Sequence, residues 1–103
     1  MKNLTLIVHS AMRQAASDLL RELAVDNFTL IDAEGHGVNS QLDRELSNRD
    51  RVVGYVPRLR IDILLEDASL EKILEGFKNN IGGGSGAKQT IYWITEVSQN
   101  GRF

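Results

Sequence analysis

Apolar and polar positions alternate in short runs along this chain, and the runs predict its elements. Residues 4–10, Leu-Thr-Leu-Ile-Val-His-Ser, read as a strand rich in β-branched side chains (Thr5, Ile7, Val8). Ser10 stands where a helix N-cap belongs. Beyond it Met12, Ala15, Ala16, Leu19, Leu20 and Leu23 recur at three- and four-residue steps, the single apolar stripe of an amphipathic helix. Asn27–Glu34 predicts a second strand, and residues 35–51 are polar with no sustained period. Val52–Glu66 returns to strand, with Leu59, Ile61 and Ile63 alternating against Arg58, Arg60 and Asp62. Pro57 has no N–H for a ladder, so the strand is expected to bulge or to lie at an edge there. Asp67 is the expected cap of a second helix, whose Leu70, Ile73, Leu74 and Phe77 mark i, i+3, i+4 and i+7. Gln89–Val97 is the last predicted strand.

The order is βαββαβ, the α+β, ferredoxin-like plan with a four-stranded antiparallel sheet, in one domain spanning residues 1–103. Two helices cover only one face of such a sheet. Several strands are nevertheless apolar on both faces: Leu6 beside Ile7, Ile63-Leu64-Leu65, and Tyr92-Trp93-Ile94. A second apolar face implies cover from outside the chain, and a homo-oligomer is the expectation. The tail, Ser-Gln-Asn-Gly-Arg-Phe at 98–103, is too short to provide it.

Composition narrows the function classes. The chain has no cysteine, which excludes disulfides, thiolate metal sites and thiol nucleophiles. Its first apolar run, Leu4–Val8, is too short for a signal or membrane helix, and nothing later is long enough to insert in a membrane; a cytoplasmic protein is expected. A net charge of −2 with interspersed signs leaves no electrostatic footprint for nucleic acid.

Catalytic chemistry has no visible carrier, so the chain is not expected to be an enzyme. Its two histidines, His9 and His36, fall short of the three or four ligands a zinc site needs; no metal site is predicted, and His36, between Gly35 and Gly37, is a weak candidate only. Nothing pairs Asp62 with Glu96 as acid and base, and no serine sits in a nucleophile elbow. Tyr92 and Trp93 point to opposite sides of a strand, which is not a base-stacking pattern. Two features remain. The connection between the second and third strands is far longer than the usual hairpin loop, and it carries Gly-His-Gly followed by a charged body. The second is Gly82-Gly83-Gly84-Ser85-Gly86, with four of the chain's nine glycines. Alone, such a run is most often a flexible linker, and the other reading is a loop whose backbone approaches a ligand; Lys88 does not follow in Walker order.

Taken with their spacing, these segments resemble the PII signal-transduction superfamily along nearly the whole chain. Phe-Thr-Leu-Ile-Asp-Ala-Glu-Gly-His-Gly-Val-Asn-Ser (28–40) is similar to the PII second strand and loop base, roughly T-V-x-x-V-x-G-x-G-R-Q. Val53–Asp67 is similar to the third strand, V-x-F-L-P-K-x-x-I-E-I-V-V, and residues 82–97 to the glycine-rich loop with its following strand. The resemblance implies a homotrimer with adenine nucleotide (ADP, AMP or ATP) as effector in clefts between subunits. The nucleotide would lie between the base of a long T-loop (about 37–51) and a B-loop (about 82–89). Carried over position by position, Gly35, Gly37 and Val38 match the T-loop base, and Arg58 the lysine after the proline. Gly82, Gly83, Gly84, Ser85, Gly86 and Lys88 match the B-loop region, and Arg102 a phosphate-contacting arginine reaching from the next subunit. On this reading the glycines bring several N–H donors close to phosphate. The long polar T-loop would become ordered on ligand binding and signal to a membrane transporter or a metabolic enzyme.

The departures are specific. Val38-Asn39 replaces the Arg-Gln that serves magnesium and 2-oxoglutarate in nitrogen sensors, and residues 38–51 contain no tyrosine to modify. The chain is therefore placed outside the nitrogen-sensing branch, closest in type to PII-like proteins of bicarbonate uptake and carboxysomes, with Gly37, Val38, Asn39 and Ser40 the candidate bicarbonate segment. An alternative is a PII-like adaptor of heavy-metal efflux or tolerance, whose last strand resembles Tyr92-Trp93 before Gly101-Arg102; it would bind a metal, through His36 or His9, or an efflux component, and no nucleotide. An acylphosphatase-like enzyme would need an arginine-bearing anion loop after the first strand, and Val8–Gln14 has none.

Overall fold

The computed structural model describes residues 1–36, 55–81 and 90–103. The proposed T-loop body and the whole B-loop, including Gly37, Val38, Asn39, Ser40, Gly82–Gly86 and Lys88, lie outside them.

Four antiparallel strands form one sheet in the order β2-β3-β1-β4: β1 (Lys2–His9), β2 (Thr29–Gly35), β3 (Val56–Leu65) and β4 (Ile91–Glu96). Helices α1 (Arg13–Glu22) and α2 (Leu70–Asn80) each follow a short 3-10 turn, at Ser10–Met12 and Asp67–Ser69. This is the expected α+β architecture. The two central strands supply the core through Leu4↔Ile63, Leu6↔Ile61 and Val8↔Leu59, all on the helix side. Against them pack Ala16, Leu19 and Leu20 from α1, Ile73 and Phe77 from α2, and Ile81.

Three local expectations change, at Ser10, Ala15 and Asp67, and of the two offered for Pro57 the edge holds. Ser10 is not the cap: His9 is, its Nδ1 accepting from the Ala11 N–H at 3.0 Å. Because the 3-10 turn winds more tightly than an α-helix, the stripe shifts phase, and Ser17 is buried while Ala15 faces solvent. Asp67 lies inside the second 3-10 turn, paired with the N-terminal amine at 3.2 Å, and the capping position falls to Glu66 without a side-chain bond. Pro57 causes no bulge. It pairs with Glu34 of β2, one residue beyond the last β1–β3 pair, His9↔Arg58, so the strand there has a neighbour on one side only.

Helix α1 ends in a Schellman motif, with Val25 N–H donating to Leu20 O at 2.8 Å and Ala24 N–H to Arg21 O at 3.0 Å. The motif forces its C′ residue into the left-handed region, and that residue is alanine: Ala24 has φ 62°.

Candidate functional site

The strand register collects the candidate elements at one end of the sheet. There β1 finishes at His9, β2 finishes at Gly35, β3 begins at Val56 and β4 begins at Ile91, opposite Ile7. The segment joining β2 to β3 and the segment joining α2 to β4 therefore both attach at this end.

At the stem of the long connection, Gly35 pairs with Val56, and Arg58 pairs with His9 on one side and Ala33 on the other. The Arg58 side chain folds across Gly35. A Cβ on Gly35 would meet Arg58 Cγ at 2.8 Å and Nε at 2.9 Å, with the Val56 carbonyl oxygen at 3.2 Å. Glycine is needed here for close approach: its bare Cα is the surface on which the guanidinium arm lies. His36 Nε2 sits 3.2 Å from Glu34 Oε1, and its ring is 5.9 Å from that of Tyr55, the residue preceding β3. This contact joins the two sides of the stem. Tyr55 escaped the sequence reading because only the register brings it opposite His36.

No group of three or more potential ligands occurs among the described residues, and His9 uses Nδ1 to cap the 3-10 turn. Arg102 is exposed in the tail. It is not gathered with Gly35 and Arg58, because β4 runs away from the loop end and finishes at Glu96, opposite Lys2, where those two side chains also pair. Two open clefts of 230 and 360 Å³ share Asp26, Asn27 and Leu64 at that opposite end.

The other face of the sheet carries a cluster that sequence inspection did not pair. Thr5 Oγ1 donates to Asp62 Oδ1 at 2.7 Å, while Arg60 donates through Nε to Oδ2 at 2.8 Å and through Nη2 to Oδ1 at 3.3 Å. The guanidinium also lies 5.8 Å from the centre of the Trp93 ring. Burial alone would raise the Asp62 pKa. The bonds from Arg60 and Thr5 and the Arg60 charge outweigh it, with Asn3 alongside donating to Thr5 Oγ1 at 3.4 Å, and the carboxyl is held below its usual range. The i,i+2 spacing of Arg60 and Asp62 was the available signal, since it places both on one face of a strand. Thr5 could be added only through the β1–β3 register.

Among the described residues no helix is long and apolar enough to cross a membrane. Over residues 1–103 the chain matches the family model described as "Protein of unknown function (DUF3240)". It is 24% identical over 102 residues to the nitrogen regulatory protein P-II of Rhodospirillum rubrum, covering 94% of this chain and 88% of that one. To P-II 1 of Methanothermobacter thermautotrophicus it is 22% identical over 97 residues, with 94% and 84% covered. Among solved structures, a DUF3240 family protein from Shewanella baltica aligns with TM-score 0.72 at 22% identity, covering 99% of this chain and 94% of that one. CPII, a nitrogen regulatory PII-like protein from Thiomonas intermedia solved with ADP, AMP and bicarbonate, aligns with TM-score 0.68 at 22% identity, covering 98% and 92%. The fold is PII-like, and the sequence is distant from the nitrogen regulators.

Proposed function

This chain belongs to the DUF3240 family, and we propose that it is a cytoplasmic PII-like regulator that binds adenine nucleotides between the subunits of a homotrimer, with bicarbonate as a second effector. The observation that carries the reading is that both glycine-bearing connections attach at the same end of a PII-like sheet, with Arg58 laid over Gly35 at the stem of the β2–β3 connection. A nucleotide there needs backbone N–H donors for its phosphates, for which Gly82–Gly86 are suited, and cationic neighbours, for which Arg58 and Lys88 are suited. Gly37–Ser40 would hold the small anion. Arg102, which leaves the sheet at the far end of its own subunit, would serve the neighbouring subunit's site. Signalling to a transporter or metabolic enzyme would pass through residues 37–51, whose ordering a bound ligand would bias.

Two observations favour this over metal handling: His36 is engaged with Glu34 and Tyr55, and His9 caps a turn. The test is isothermal titration of the purified chain with ATP, ADP, AMP and cyclic AMP, each with and without bicarbonate. Saturable binding of at least one adenine nucleotide, at one site per chain, is expected. No heat and no protection with any of the four, in either buffer, overturns the nucleotide reading.

A further inference from the structure

The end of the sheet away from the loops holds a break in its hydrogen bonding. Strand β2 begins at Thr29, opposite Asp62, whereas β3 runs on to Leu65, opposite Lys2 of β1. Leu64 and Leu65 therefore have a strand on one side only among the described residues. The cause lies in the chain before β2: the left-handed residue Ala24 turns it out of α1, and Asp26 and Asn27 are poor strand formers. Among the described residues no main-chain hydrogen bond joins residues 24–28 to Leu64 or Leu65. Successive residues of a strand direct their N–H and C=O groups to opposite neighbours, so one of these two leucines turns both groups into the notch. The two clefts described above open on the notch from opposite faces of the sheet. On the helix side, the 230 Å³ cleft is lined by the apolar Leu23, Val25, Leu65 and Ile73, with Glu66 beside them. On the other face, the 360 Å³ cleft is polar, lined by Asn3, Asn27, Thr29 and Asp62, and Asp26 and Leu64 belong to both.

We propose that this notch receives a short extended segment of a partner protein, one that pairs with β3 where β2 stops short and alternates apolar with basic side chains. In strand addition the main-chain bonds supply affinity, and pockets for alternate side chains supply specificity. Successive side chains of the added segment point to opposite faces. One would enter the apolar cleft beside Leu23 and Ile73, and the next the polar cleft beside Asp26. Charge complementarity makes the second set basic. Asp62 is already matched by Arg60, but Asp26 and Glu66 enter no ion pair among the described residues. No described residue lining the polar cleft is basic, and Lys72 is the one cation lining the other. The C-terminal end of α1 adds its partial negative charge. The notch lies at the opposite end of the sheet from Gly35 and Arg58, so a partner held there leaves the loop end free, and the inference stands apart from the nucleotide reading.

The test is amide-resolved NMR of the full chain, titrated with four synthetic peptides. They are acetyl-Val-Lys-Val-Lys-Val-amide, its counterpart with glutamate in place of lysine, the basic peptide with every internal amide nitrogen methylated, and Ser-Gln-Asn-Gly-Arg-Phe, the sequence of the chain's own tail. The basic peptide should shift the amides of Asp26, Asn27, Leu64 and Leu65 saturably, with a dissociation constant of about 1 mM or tighter. The acidic and the methylated peptides should bind at least about tenfold more weakly. Asp26→Lys/Glu66→Lys should reverse the preference between the basic and acidic peptides. No saturable shift at those amides overturns the inference, and so does a methylated peptide that binds as well as its parent, because the contact would not be strand addition. A charge-reversed chain that still prefers the basic peptide overturns it too; if that variant does not fold, Asp26→Asn takes its place, with a loss of about threefold expected and unchanged affinity the overturning result. Tighter binding of the tail peptide than of the basic peptide would assign the notch to a second copy and overturn the partner reading. None of these outcomes moves the nucleotide titration, which tests its own reading separately.

Discussion

Gly35→Ala is a small change with a calculable consequence. The new methyl would lie 2.8 Å from Arg58 Cγ and 2.9 Å from Nε, where ordinary contacts begin at 3.4 Å. The guanidinium arm would have to move by several tenths of an ångström, and the Val56 carbonyl at 3.2 Å closes part of the way out. Overpacking of this kind costs about 1–3 kcal/mol. Backbone strain adds nothing, since Gly35 is not in the left-handed region, so the cost is steric and should depend on the Arg58 side chain. A double-mutant cycle isolates that dependence. Gly35→Ala is expected to destabilise by about 1–3 kcal/mol in the wild-type background and by about 1 kcal/mol less when Arg58 is already alanine. The assay is urea unfolding followed by circular dichroism, with all four proteins at one protein concentration because an oligomer's stability depends on it. Additive effects in the cycle would refute the steric argument. A Gly35→Ala variant within about 0.5 kcal/mol of wild type would refute it as well.

Other expectations follow from single residues. Ala24→Gly should stabilise the chain by about 1 kcal/mol, because glycine carries no Cβ penalty at φ 62°; a loss of stability on urea unfolding would contradict this. The Asp62 carboxyl is held below its usual range, so its bonds contribute stability that is fully present above the unfolded-chain value of about 4 and is lost as pH falls through the lower folded value. The stability gap between wild type and Asp62→Asn should therefore narrow on acidification below about pH 4, and a gap that widens would reverse the assignment. Arg102→Ala should weaken adenine-nucleotide binding about ten- to a hundredfold by titration calorimetry, the loss of one charge-assisted contact; unchanged affinity would make the tail a bystander.

The elements and their order were legible because each hydrophobic run obeys one period: Leu59, Ile61 and Ile63 alternate on β3, and Leu70, Ile73, Leu74 and Phe77 step round α2. Phase was less legible. A three-residue 3-10 turn moved the cap from Ser10 to His9 and exchanged Ala15 for Ser17 in the core, and turn geometry leaves little trace in residue type. Of the candidate site, Gly35 and Arg58 were readable from the resemblance, but their contact was not. The pairing of Thr5 with Asp62 spans 57 positions, and only the register of β1 with β3 creates it. A helix reading could not foresee Ala24 in the left-handed region, because residue preference there favours glycine.

The direction of β4 has a consequence for how sites in an assembly would communicate. Among the described residues the strand is hydrogen-bonded to β1 alone, it receives the glycine-rich segment at Ile91, and it releases the tail at Glu96, about 17 Å further on at 3.4 Å per residue. A ligand that tightens the chain where it enters β4 acts on one end of a strut whose other end carries Arg102. In a closed ring where each tail serves the next copy, every strut would run from one site to its neighbour in the same rotational sense. The wiring would be oriented like a relay, although linkage requires the energy passed between two adjacent sites to be equal in both directions. Occupancy of one cleft would then change the affinity of the cleft ahead of it with no movement of the sheets themselves.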